Sequence, residues 1–117
     1  MKKISSFILL LFLSKNVQSQ SIGNKPLSEL DAEYIEIEEI SRLLSNIIFI
    51  KIDYGQKTKL FTGDDRVKDE NGFDKEFNSM IDALNFMSKY GYELSTVVTA
   101  VDVSVPIKRY ILKKKKA

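Results

Sequence analysis

The chain has 117 residues, 44% hydrophobic and 29% charged, with no Cys, no His and no Trp. That is one domain of ordinary globular composition. The missing types exclude disulfide frameworks, thiolate nucleophiles, Cys- or His-built metal sites, Ser-His-Asp triads and imidazole bases.

In chain order, Met1-Lys2-Lys3 gives a positive start, residues 4–13 (ISSFILLLFL) an apolar run, and Val17-Gln18-Ser19 a small-residue end. This is the tripartite pattern of a secretory signal. The run is short of the roughly 20 apolar residues needed to span a bilayer. Cleavage is expected after Ser19, which places the mature chain in the periplasm or the medium, with no transmembrane anchor.

The full chain carries 18 basic and 16 acidic residues; without Lys2, Lys3 and Lys15 it has 15 against 16. No general basic surface is left to argue for nucleic acid. Lys108, Arg109 and Lys113 to Lys116 put six positive charges into the last ten residues, while residues 20–107 hold 9 basic and 16 acidic side chains. An acidic body with a basic end is the strongest electrostatic feature.

Residues 20–31 (QSIGNKPLSELD) lack periodicity and read as a flexible leader. Residues 33–40 alternate, with Ile35 and Ile37 on one face and Glu36 and Glu38 on the other, which is the pattern of a half-buried strand. Residues 47–54 repeat it: Ile48, Ile50, Ile52 and Tyr54 share one face, Ile47, Phe49, Lys51 and Asp53 the other. The short SRLLSN link predicts an antiparallel pair. Residues 55–65 form a polar loop. Asn71-Gly72, between two charged flanks, suggests a short exposed hairpin with a type I′ turn, the alternative being an irregular loop.

Ser79-Met80-Ile81-Asp82 is a capping box. Met80, Ile81, Leu84 and Met87, widened by Ala83, Phe86 and Tyr90, make a helical stripe read as core packing. Gly91 closes the helix. Residues 92–103 are β-branched and read as a strand. Residues 106–113 alternate and form the last strand, with Pro106 at its start. The order ββαββ, with a possible extra short hairpin, predicts a single α+β domain: an antiparallel sheet of about four main strands with one amphipathic helix on one face. Domain bounds follow as signal 1–19, leader 20–31, α+β domain 32–114 and basic tail 115–117.

The segments SRLLSNIIFIKIDYGQ, RVKDENG, FNSMIDALNFMSKYGYEL and RYILKKK together resemble a family of small exported Bacteroidetes proteins for which no activity is established. The resemblance spans roughly residues 33–114. It implies export and an α+β fold, and it carries over no catalytic residue. Gly91-Tyr92-Glu93-Leu94 more distantly resembles the Gly-Trp-Glu-Leu step of a widespread small domain of unknown function, departing from it at Tyr92.

Chemistry is sparse. Glu36 and Glu38 lie two apart on one strand face, roughly 6.5–7 Å between Cα atoms. Such a pair suits carboxylate hydrolysis of an extracellular polymer, the alternative to a non-catalytic role; alternation alone explains both as solvent-facing. Asp64, Asp65, Asp69, Glu70 and Asn71 form an oxygen-rich loop, but their spacing matches no EF-hand, and no metal or cofactor is expected. Lys113, Lys114, Lys115 and Lys116 are a possible contact for an anionic partner, weighed against a frayed, solubilising end. Ile47 and Phe49, on the outer face of the second strand, are a possible apolar contact unless the loop at 55–77 covers them. The functional expectation is an exported, non-catalytic binding or assembly module with an unknown protein or cell-envelope partner.

Overall fold

The computed structural model describes residues 20–57, 65–102 and 105–116. Their elements are β1 (Ser21–Ile22), β2 (Lys25–Pro26), a 3₁₀ turn (Leu27–Glu29), β3 (Tyr34–Ser41), β4 (Ile48–Asp53), β5 (Val67–Lys68), α1 (Met80–Ser88), β6 (Tyr92–Asp102) and β7 (Val105–Lys114). Four strands form an antiparallel sheet in the order β4-β3-β7-β6, and three short ones a second sheet in the order β2-β1-β5. The architecture is the small α+β domain that the alternations and the helical stripe predict.

Alternation sets the core. Ile35 and Ile37 on β3 and Ile48, Ile50 and Ile52 on β4 are buried on one face, and β7 adds Leu112 opposite Ile35. α1 covers that face with Ala83 and Met87. Met80, Leu84, Phe86 and Tyr90 pack partly against it, but Ile81 is 66% exposed, a correction to the expected stripe. Residues 80, 83, 84 and 87 follow the i, i+3, i+4 spacing of one helix face, and Ile81 falls off it. Ser79 Oγ accepts from the Asp82 amide at 3.2 Å, while the Asp82 carboxylate accepts from the Asn78 amide at 3.0 Å. Both halves of the cap are made, with the return bond one residue upstream of the standard box. Gly91, at φ 88°, then reverses the chain into β6.

Residues 20–31, expected to be a flexible leader, are built into the fold. Ile22, Leu27 and Leu30 are all buried, and β1 pairs with both β2 and β5. Tyr92 locks the segment down: its ring is buried and its hydroxyl donates to the Ala32 carbonyl at 2.5 Å. Burial, with the negative Asp31 nearby, raises the Tyr92 pKa above the ordinary phenol value. Three large apolar side chains were hidden in a short, aperiodic segment, where no period announces burial.

The charged hairpin exists but differs from expectation. Asp69 and Phe73 close it, the Gly72 amide donates to the Asp69 carbonyl at 3.0 Å, and Gly72 alone takes a positive φ, of 85°. This is a three-residue connection ending in a left-handed glycine, rather than a type I′ turn with Asn71 also left-handed. Nor is it isolated, because Val67 is buried and pairs with Ile22.

Candidate functional site

The four-stranded sheet has two outer edges, and they are built differently. Along β4, Ile48 and Phe77 exchange both backbone hydrogen bonds at 2.9 Å, and the Ile52 amide donates to the Asp65 carbonyl at 2.8 Å. Phe77 is itself buried, edge-on to Phe86 with centroids 5.3 Å apart. That edge is closed by the chain's own backbone.

β6 bounds the other side. Its inner side pairs with β7 from Tyr92↔Lys114 to Asp102↔Val105, with a bulge between Leu94 and Thr96. Among the described residues, no strand or turn pairs with its outer side. From Leu94 to Val101 the sequence LSTVVTAV holds no charge and no proline, two of the devices that blunt an edge. Leu94, Val97, Val98 and Val101 are 43–75% exposed. The lengths of the elements explain why. α1, nine residues long, spans about 13 Å, whereas the eleven residues of β6 span about 36 Å. The helix covers the base of the β6–β7 hairpin and leaves its distal half bare. β3 also stops short, pairing with β7 only from Tyr34↔Lys113 to Glu38↔Arg109. Beyond that point a gap lined by Glu39, Ser41, Pro106 and Ile107 separates β3 from β7.

The face of the sheet opposite α1 carries a charged band. Glu36 lies 3.3 Å from Arg109 Nε; Glu38 lies 3.5 Å from Lys51 Nζ, which is also 4.0 Å from Asp65. With Asp53 these side chains line a shallow polar depression. Each carboxylate of the expected pair faces its own cation, Glu36 with Arg109 and Glu38 with Lys51.

The oxygen-rich loop is taken apart by its own turn. Asp69 Oδ1 accepts from the Asn71 and Phe73 amides at 2.9 and 3.0 Å, Asp65 faces Lys51, and Glu70 and Asn71 are exposed. Asp64 lies outside the described residues. Among the described residues no group of three or more His, Cys, Asp or Glu is placed to hold a metal. Asp74, which the sequence did not single out, is bonded by Lys68 and, at 3.0 Å, by Arg66. Partial burial works to raise its pKa, but the hydrogen bonds and positive charges of Lys68 and Arg66 outweigh it and hold the carboxyl below its ordinary value.

The terminal lysines are separated. Lys113 Nζ sits over the Tyr34 ring, 5.6 Å from its centroid; Lys114 donates to the Leu30 carbonyl at 3.2 Å; Lys115 donates to Ser88 Oγ at 2.8 Å. Lys113 and Lys114 belong to β7, and the Lys114 and Lys115 amides bond Glu33 and Gly91. The frayed end expected from Lys113 onward is therefore a strand end bonded to Leu30, Glu33, Ser88 and Gly91. Ile47 and Phe49 are half-buried, and the Arg42 guanidinium lies 5.4 Å from the Phe49 centroid while pairing with Glu76. Phe49 is thus covered from within the chain.

Sequence reasoning missed the β6 edge. Its signal was legible: eight consecutive uncharged residues without polar alternation, beside strands that alternate regularly. Comparison of the chain with protein-family models, with curated proteins and with solved structures finds no match in any of the three. No helix among the described residues is long and apolar enough to cross a membrane.

Proposed function

We propose that the chain is exported through cleavage of residues 1–19 and works in the periplasm or medium as a non-catalytic module that binds an extended strand along β6. The charged start, short apolar run and Val-Gln-Ser end support the export, in keeping with the resemblance to small exported Bacteroidetes proteins. One observation carries the binding role: the long, uncharged outer edge of β6, with its four exposed apolar side chains. Edge-strand addition draws affinity from main-chain hydrogen bonds and selectivity from alternate side chains. The ion pairing of Glu36 and Glu38 supports a structural role for both.

A photoreactive side chain at Val98 tests the reading in the cell envelope, with the same group at exposed Asn85 of α1 as control. Adducts at Val98 and none at Asn85 are expected. Absence of adducts at Val98 overturns the edge as a binding site. Mass spectrometry of the recovered protein checks the export step, the expected first residue being Gln20; a chain retaining residues 4–13 overturns it.

A further inference from the structure

We propose that the strand taken up by β6 is the β6 of a second copy, so that two four-stranded sheets join about a two-fold axis into one continuous antiparallel sheet. The proposal rests on the edge-binding reading above and names its occupant.

Symmetry supplies the first argument. Two identical strands that pair antiparallel along their edges are related by a two-fold axis normal to the sheet, so the contact is isologous and closes on itself. The axis keeps each face on its own side, and side chains that face each other across it belong to the same face. Past the bulge, β6 runs regularly from Thr96 to Asp102. Within that stretch the sequence Val97-Val98-Thr99-Ala100-Val101 is close to symmetric about Thr99. Centred there, Val97 meets Val101 on one face, Val98 meets Ala100 on the other, and Thr99 meets its own copy. Directly opposed β-branched side chains are favourable cross-strand pairs. The pairing covers Val97, Val98 and Val101, three of the most exposed apolar side chains of the strand.

Charge supplies the second. No charged side chain stands between Glu93 and Asp102, so no like charges meet in this register. An edge reserved for a different partner needs a device that rejects its own copy, because an uncharged strand pairs with itself as readily as with another. From Thr96 to Val101 β6 carries none, its bulge lying upstream between Leu94 and Thr96, whereas the opposite edge of the sheet is closed by the Phe77 and Asp65 backbone. A copy of the chain is also a competitor for the edge wherever the protein is made.

Sedimentation equilibrium on the purified protein from about 1 μM to about 1 mM tests the proposal across the affinity range of a single strand pair. The expected result is a mass rising from one chain to two. Thr99→Glu puts two carboxylates opposite each other across the axis, while Lys108, its register partner on β7, accommodates each within its own chain. It is expected to stay monomeric with an unchanged urea midpoint. Thr99→Lys is likewise expected to stay monomeric alone, and an equimolar mixture of the two variants is expected to recover the two-chain mass. A wild-type protein that is monomeric throughout, a Thr99→Glu variant that associates like wild type, or a mixture that stays monomeric each overturns it. If the protein is monomeric but Val98 still forms adducts with another protein, the self-pairing falls and the edge-binding reading stands. If adducts are also absent, both fall.

Discussion

The two hairpins of the main sheet are made of similar strands and end in opposite circumstances. In the β3–β4 hairpin every second residue from Ile48 to Ile52 is buried, and the outer strand is closed by Phe77 and Asp65. In the β6–β7 hairpin only Tyr92 and Leu112, at the base, are fully buried among the described residues, none of which pairs with the outer side of β6. Strand-forming propensity does not separate them: Ile, Tyr and Phe fill the first, and Val and Thr with Ile and Tyr the second, all good strand formers. Coverage does: the first hairpin has α1, the second sheet and the loop at 76–78 around it, and the second outruns a helix of nine residues. Stability in this domain should therefore reside in the first hairpin and in the base of the second, with interaction left to the second's distal half.

Breaking the closed edge is the strongest test of that contrast. Phe77→Ala removes a buried ring from contact with Phe86 and leaves a cavity, and the expected loss is about 3–5 kcal/mol in urea unfolding. Val97→Ala on the bare edge removes a half-exposed side chain, with an expected loss under about 1 kcal/mol in the monomer. Comparable losses at the two positions would erase the distinction.

The base of the second hairpin comes next. Deleting residues 113–117 removes the bonds from the Lys114 amide to Glu33 and from the Lys115 amide to Gly91, both 2.7 Å, together with the Lys114 side-chain bond to Leu30. At about 0.5–1.5 kcal/mol per hydrogen bond, a loss of about 2 kcal/mol is expected. Replacing Lys113 to Lys116 by Gln keeps the backbone bonds, and the urea midpoint should move far less. Equal losses in the two variants would make the charges, rather than the strand end, the stabilising element.

What could be seen in the sequence follows from the same physics. Periodic burial was legible: the alternations of β3 and β4, the α1 stripe with Ser79 and Gly91 at its ends, and Pro106 near the start of β7. Burial without a period was not. Ile22, Leu27 and Leu30 sit in a segment too short and irregular to show one, yet they fill the core. The basic run at the terminus suggested solvent, because charge says nothing of where the backbone amides bond. The β6 edge was missed for another reason, although its uncharged run stands in the sequence. Propensity reports that a strand forms and not what lies beside it, which depends on the length of an element far from that strand's own residues.

Titration sharpens the contrast between the hairpin at 66–74 and the anchor at Tyr92. Asp74 has a folded-state pKa below its ordinary value of 3.8. The stability it supplies is therefore complete above that value and is lost as pH falls through the lower folded one. Wild type should lose urea resistance below about pH 4, and Asp74→Asn should lose less over the same interval. Tyr90 and Tyr92 behave oppositely. Burial holds both above the ordinary value of 10.0, so their contribution is complete below it and is lost as pH rises further. Wild type should weaken above about pH 10, and the double variant Tyr90→Phe, Tyr92→Phe should show a flatter alkaline limb from a lower starting point, since it lacks the bond to Ala32.

The smallest effect is expected at the tip of the closed hairpin. Leu44 has φ 59° and is the one non-glycine with positive φ among the described residues; it is 98% exposed and Leu43 91%. A leucine in the left-handed region is disfavoured by about 1–2 kcal/mol, which glycine does not incur. Glycine in turn has more freedom to lose from the unfolded chain, an offset of about 0.5–1 kcal/mol. With almost no side-chain contact to forfeit, Leu44→Gly should leave the protein unchanged or more stable by less than about 1 kcal/mol. Thermal and urea unfolding of the single variant measure this directly. A clear destabilisation would mean that the Leu44 side chain is packed in solution, and that the first hairpin is closed at its tip as well as along its edge.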